Sequence, residues 1–239
     1  MGLLALTASC TRYQPPRTLG SGQINPRLLS ILPWSGKLHT ATANGSTTTY
    51  HYDWFGRVLS IDNPSGTTIT YEYLPPAAPA SVKETFSGST PLVGTYTLVN
   101  GFATTASYSD GRSAVFTPTA DNHLASAVYT GPRAYTDTRS YGLDGNLAIE
   151  TLTHPTNPAA DSKIVATAEP TVANTIENHG DDWKSARTPN PARHWDTTNL
   201  NGLPPAIDFS YQVNALGQVT QMQRTGNGFS SIVTYTYYP

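Results

Sequence analysis

The sequence predicts an all-β protein, an antiparallel meander of repeated β-hairpins forming a strongly curled sheet or incomplete barrel. Three observations carry this expectation. First, five stretches repeat one theme: alternating aromatic residues, a short polar turn with Gly or Asn, then an aliphatic strand. The stretch Tyr50-His51-Tyr52-Asp53-Trp54-Phe55-Gly56-Arg57-Val58 closes on Ile61. It aligns without a gap to Tyr211-Gln212-Val213-Asn214-Ala215-Leu216-Gly217-Gln218-Val219, which closes on Met222. Internal repetition of this kind sets the whole architecture. Second, Thr68-Ile69-Thr70-Tyr71-Glu72-Tyr73 alternates, with apolar or aromatic odd positions and polar even ones. That is the period of a sheet with one buried face. Third, turn signals recur roughly every 8 to 12 residues, the spacing of sandwiches, barrels and up-and-down sheets.

The elements follow in order. Asn44-Gly45 is a two-residue hairpin turn, because both positions favour positive φ. It joins Leu38–Thr42 to Thr47–Tyr52. The turn Asp53–Gly56 leads into Arg57–Ile61, and the turn Asn63–Gly66 into Thr68–Tyr73. After the Pro-rich break Leu74–Pro79 the meander resumes with Val82–Phe86, Leu92–Val99, Phe102–Tyr108, Arg112–Thr117, Leu124–Tyr129, Thr136–Tyr141 and Leu147–Thr153. Strands this short and close pair antiparallel, because a parallel crossover needs about a dozen residues or more. Strand twist accumulates over so many strands, so the sheet must curl. From His154 to Pro205 seven prolines break the rhythm. Lys163–Ala168 fits a strand there, and Thr171–Asn178 fits a short helix opening after Pro170. Ile207–Val213, Gln218–Met222 and Ile232–Tyr238 then restore the hairpins. The alternation predicts that Ile69, Tyr71, Tyr73, Phe209, Tyr211 and Val213 are buried.

Composition narrows the function classes. Of 239 residues, 14 are Tyr, 6 Phe and 4 Trp, which supply bulky surface to bury, so the chain is not of disordered type. Tyr outnumbers Phe, which suits a sheet face that is partly wet. The formal net charge is −2 with no basic stripe, so no nucleic-acid partner is expected. No apolar run is long enough for a membrane-spanning helix.

The single cysteine, Cys10, follows Leu3-Leu4-Ala5-Leu6-Thr7-Ala8-Ser9. An apolar run ending in small residues before a lone Cys resembles the lipobox of a bacterial lipoprotein signal; the other reading is a free thiol on a frayed N-terminus. On the first reading residues 1–10 are a partial signal, 11–34 a tether and 35–239 one repeat-built β domain with an irregular insert at about 154–205.

The motif Tyr-x-Tyr-Asp-x-x-Gly-Arg-Val, with Thr70-Tyr71-Glu72-Tyr73 downstream, resembles the tyrosine–aspartate (YD/RHS-type) repeats of bacterial surface and secreted proteins. With the lipobox-like start, the chain is similar to Bacteroidetes lipoproteins carrying a domain of unknown function described as a porin-like fold. Asn201-Gly202-Leu203-Pro204, Tyr211 to Gly217, and Thr234-Tyr235-Thr236-Tyr237 carry that likeness, which extends over about residues 36–239. It implies a fold and an envelope address, with no enzymatic residues to carry over.

The repeat residues have local roles that need no ligand: Gly56 and Gly217 as structural turn residues holding positive φ, and Asp53 and Asn214 as turn-closing acceptors. Candidate binding chemistry gathers in the insert: Trp183 and Trp195 interleaved with Asp181, Asp182, His194, His179 and Asp196. Trp stacks on sugars, and His with carboxylates ligates metals, but no tight ligand spacing is present and no metal is expected. No nucleophile elbow or phosphate loop occurs. The expectation is a non-enzymatic lipoprotein without cofactor, lipid-anchored through Cys10 to the outer membrane of a bacterial envelope, binding an unknown protein or glycan. The alternatives are a glycan-acting enzyme using the insert and an outer-membrane β-barrel.

Overall fold

The computed structural model describes residues 35–176, 183–185, 188–198 and 205–239. Sixteen strands follow one another: β1 (Leu38–Ala43), β2 (Ser46–Tyr52), β3 (Val58–Asp62), β4 (Thr68–Leu74), β5 (Ser81–Phe86), β6 (Leu92–Val99), β7 (Phe102–Tyr108) and β8 (Ser113–Pro118). The second half comprises β9 (Leu124–Thr130), β10 (Tyr135–Tyr141), β11 (Leu147–Thr153), β12 (Ser162–Ala168), β13 (Ala192–Thr198), β14 (Ala206–Val213), β15 (Val219–Gly226) and β16 (Phe229–Tyr237). Every strand pairs antiparallel with its sequence neighbours, and β16 returns to β1. The sheet therefore closes into a barrel, one step beyond the curled or incomplete form expected. Thr40, Ala41, Thr42 and Ala43 meet Thr236, Tyr235, Thr234 and Val233 at the seam. The hydroxyls of Thr40 and Thr236 are 2.7 Å apart across it.

The up-and-down order gives the barrel two unlike rims. Ser35, Pro239 and the connections after the even-numbered strands β2 to β14 share one, here the terminal rim. The connections after the odd-numbered strands share the other, the distal rim.

Alternation assigns the faces. Tyr71 pairs with Glu84 and Tyr73 with Val82, all four buried, while Glu72 and Lys83 pair on the outside. A core of Val58, Tyr71, Tyr73, Val82, Tyr96 and Phe116 continues around this side of the wall. Ile69 and Tyr211 are half-buried and Phe209 is buried, as alternation requires, but Val213 is 49% exposed. A register shift between Gln212 and Val213 turns it outward. Similar shifts fall at Leu38/Thr40, His51/Tyr52, Thr97/Leu98, Thr117/Pro118, Ser140/Tyr141 and Thr167/Ala168. All of them lie at the terminal rim. A bulge flips the alternation and sharpens local twist.

The tyrosine hydroxyls have a structural use at this rim. Tyr52 donates to the Leu38 carbonyl at 2.6 Å, Tyr73 to Val58 at 2.9 Å, Tyr141 to Leu124 at 3.0 Å and Tyr237 to Val219 at 2.8 Å. Tyr211 does the same to the Ala192 carbonyl. In each case the ring sits near the end of one strand and satisfies the carbonyl that opens the preceding one. A buried carbonyl needs a partner, and Phe has none to offer. This, rather than wetness of the face, is a reason for Tyr at these positions.

The insert is less irregular than expected, since β12 and β13 are ordinary barrel strands. The described parts of the remainder, 169–176, 183–185 and 188–191, lie at the terminal rim. The helix expected over Thr171–Asn178 does not form across its described part, 171–176. Asn174 instead takes its hydrogen bonds across the loop, from its amide to the Pro189 carbonyl and from its side chain to Thr188.

Candidate functional site

A sixteen-stranded barrel has room for a channel. At the terminal rim the described parts of the β12–β13 connection bond to two sides of the wall. On one side Thr175 contacts the Tyr237 hydroxyl at 3.0 Å and accepts from the Val219 amide at 2.9 Å. On the far side the Trp183 carbonyl accepts from the Ala103 amide at 2.8 Å and Ser185 from the Leu124 amide at 2.9 Å. Asn190 and Asn146 tie the segment to the β10–β11 turn. Trp183, 7% exposed, lies edge-on to Tyr96 at 4.7 Å and Tyr71 at 6.5 Å. Lys184 reaches the buried Glu84 carboxylate at 2.7 Å. These described residues thus form a plug, pinned by the Trp183 ring and the Lys184–Glu84 ion pair. Between plug and rim a cleft of about 330 Å³ remains, lined by Phe55, Arg57, Tyr73, Leu98 and Trp183.

From Glu84 a path of tyrosines runs along the inner wall toward the distal rim. Tyr96 donates to Glu84 at 2.7 Å, and its hydroxyl is 3.1 Å from that of Tyr108. Tyr108 lies against Tyr129, and Tyr129 stacks on Tyr135 with centroids 4.3 Å apart. His154, from the β11–β12 connection, stacks on Tyr135 at 5.8 Å with the rings tilted by 30°. Tyr135 opens the inward series Tyr135, Asp137, Arg139, Tyr141 on β10. Arg139 bonds both Asp137 and Glu150, each at 2.9 Å. Tyr108, Tyr129, Tyr135, Arg139 and Glu150 face inward yet are only half-buried, so water reaches this wall. The distal mouth therefore presents stacked rings and hydroxyls, with the ion-paired Asp137, Arg139 and Glu150 deeper along the same wall.

The electrostatics follow from this partial desolvation. Burial pushes the Tyr129 phenol up to about 12, with the Tyr108 ring adding to the shift. Burial also raises Tyr135, so both remain neutral donors. Burial raises the Glu150 carboxyl against the opposing pull of Arg139. Burial opposes the Arg139 charge, but Glu150 and Asp137 more than offset it.

The candidate residues named from sequence do not converge. Trp183 is in the plug. Trp195 faces inward on β13, edge-on to Phe209 at 4.7 Å. His194 and Asp196 lie on the outer face of the same strand, where His194 meets Asp208 at 2.6 Å and Asp196 at 3.3 Å. Alternation along one strand separates them from the Trp195 ring. Cys10, His179, Asp181 and Asp182 lie outside the described residues, as does Asn201–Pro204. No group of His, Cys, Asp or Glu suited to a metal ion occurs among the described residues. Gly56 and Gly217 have φ of 73° and 75°. The Asp53 side chain accepts from the Phe55 and Arg57 amides at 2.9 and 3.0 Å and binds the Arg57 guanidinium. Asn214 makes the equivalent bonds to Leu216 and Gln218. The tyrosine path went unnamed in the sequence because its members read as packing positions. The available signal was Tyr at the distal ends of β7, β9 and β10.

Residues 35–68, which span β1 to β3, match the family model of the RHS repeat. No curated protein matches the sequence. The fold is similar to a porin-like protein from Bacteroides uniformis ATCC 8492, with TM-score 0.62 and 16% identity, covering 86% of this chain and 98% of that one. It is similar also to a porin-like protein from Bacteroides vulgatus ATCC 8482, with TM-score 0.57 and 10% identity, covering 85% and 99%.

Proposed function

We propose that the protein is a non-enzymatic cell-envelope lipoprotein that binds a glycan at the distal mouth of its plugged barrel. The observation that carries this reading is the Tyr129–Tyr135 stack, flanked by His154 and opening onto Asp137, Arg139 and Glu150. Flat rings offer their faces to sugar rings, and neighbouring hydroxyls and carboxylates orient sugar hydroxyls, the usual division of labour in a binding site. Envelope residence is supported by the lipobox-like sequence before Cys10 and by the likeness of fold to porin-like proteins.

Several features weigh against a membrane-spanning barrel. Its strands have five to nine residues, whereas bilayer-crossing strands need about 9–11. The outer face carries Thr, the Glu72–Lys83 pair and the His194–Asp208 pair rather than an apolar band.

A glycan array probed with the full chain bearing Cys10→Ala tests the binding half. Tyr129→Ala and Tyr135→Ala should each weaken binding roughly tenfold, about 1.4 kcal/mol. Equal binding by wild type and both variants, or no glycan bound at all, would sink it. Labelling cells with radioactive fatty acid tests the anchor, which must be lost in Cys10→Ala.

A further inference from the structure

We infer that one arc of the terminal rim is a membrane-docking surface, so that the barrel stands on the bilayer with its distal mouth facing away. The inference deepens the envelope reading above and rests on it for the presence of a membrane. The motivating observation is a difference between turns of the same geometry. In the Asp53, Asn63, Tyr108, Thr119, Gly142 and Asn214 turns, the first residue accepts from the fourth and donates to the carbonyl of the fifth. The second and third residues form the apex. At the distal rim these are Pro64-Ser65 and Ser109-Asp110. At the terminal rim they include Trp54-Phe55 and Ala215-Leu216. Trp54, Phe55 and Leu216 are 65%, 56% and 83% exposed. Backbone geometry does not require this, because the polar apices make the same turn.

The apolar apices are contiguous. Strand order places the β14–β15 turn, the Ser35 end, the β2–β3 turn and the β4–β5 connection side by side around the rim. The last adds Leu74, Pro75, Pro76, Ala77 and Ala78, all exposed. The Thr119 and Gly142 turns, with apices Ala120-Asp121 and Leu143-Asp144, lie on the opposite arc, where Leu143 is exposed beside an acid. Each of those two apices carries a carboxylate, whereas Trp54-Phe55 and Ala215-Leu216 carry none.

The occupant follows from where the chain enters. Residue 35 emerges in the middle of the apolar arc, and 24 residues separate it from Cys10. Fully extended, that length spans at most roughly 80 Å. A lipid at Cys10 would hold this arc near the bilayer at high effective concentration, where a few apolar contacts suffice. Trp is suited to the interfacial layer, and residues 36–37 add Lys37 beside it.

The test uses the full chain bearing Cys10→Ala and an N-terminal hexahistidine tag. It is bound to phosphatidylethanolamine–phosphatidylglycerol vesicles containing nickel-chelating and nitroxide lipids. A fluorophore is attached through Ala215→Cys at the terminal rim or Ser65→Cys at the distal rim. Quenching at position 215 should exceed that at 65 by roughly threefold. Combining Trp54→Ser, Phe55→Ser and Leu216→Ser should abolish the difference, with the melting temperature checked to confirm folding. Equal quenching at both sites, or a difference that survives the triple variant, overturns the proposal. So does a concentration-dependent dimer that the triple variant dissociates without any lipid quenching, which would make the arc a self-contact. The tag replaces acylation, so an unmodified Cys10 in cells would refute the anchor without touching this result.

Discussion

Trp183→Ala removes the ring that pins the plug. Truncating a buried Trp costs about 3–5 kcal/mol, through lost burial and the cavity left behind. Two features place this site at the low end. The rings of Tyr71 and Tyr96 line one side and can relax into the space. The Trp183 Nε1 is buried without a hydrogen-bond partner among the described residues, so removing it relieves a penalty. The expected loss is about 3 kcal/mol, a fall in Tm of roughly 6–12 °C for a domain of this size. The backbone provides a local readout. The Ala103 amide donates to the Trp183 carbonyl and the Leu124 amide to the Ser185 hydroxyl. Both should lose protection in hydrogen exchange, while amides at the β1–β16 seam keep theirs. A stability change below about 1 kcal/mol, with both amides as protected as in the wild type, would refute the role of Trp183 as the pin.

Three further outcomes are expected. Tyr73→Phe deletes a hydroxyl that donates to the Val58 carbonyl at 2.9 Å, so equilibrium unfolding should show a loss of about 1 kcal/mol; no loss would remove the rim-tying role of the repeat tyrosines. The hydrogen bond to Asp208, then that to Asp196, raises the His194 pKa above its ordinary value. The folded value lies above the unfolded one, so this contribution is full below the unfolded pKa and is lost as pH rises through the folded pKa. The urea midpoint of the wild type should therefore drop relative to His194→Gln on going from about pH 6 to pH 8, and parallel pH profiles would contradict this. Finally, the Cys10→Ala chain should remain monodisperse without detergent, and a detergent requirement on size-exclusion chromatography would restore the spanning-barrel alternative.

Much of the fold was legible because it is written in local chemistry. Strict alternation in β4 placed Tyr71 and Tyr73 on the buried face, and Asn44-Gly45 announced the first hairpin. Local chemistry does not announce a bulge, and one extra residue turned Val213 outward. Strand β13 was missed because Pro189 and Pro191 precede it and Arg193, His194 and Asp196 interrupt its apolar pattern. Its pairing with β12 and β14 stabilises it despite weak propensity. Closure was illegible for a different reason. It depends on the match between β1 and β16, nearly two hundred residues apart in sequence. The candidate site was legible only in part for the same reason. Tyr108, Tyr129 and Tyr135 come from three strands, and only register makes them one surface.

The even strand count has an implication for how such barrels change size. In an up-and-down sheet, closure between first and last strands is antiparallel only when their number is even. The natural unit of growth is therefore the hairpin. Gain or loss of one hairpin would preserve the seam chemistry of Thr40 and Thr236 and leave both chain ends on the same rim. Gain or loss of a single strand would demand a parallel seam and move one end across the molecule. Circumference is thus free to vary in steps of two strands while the attachment point stays put. Bore and ligand could diversify among such proteins without any redesign of how they are held.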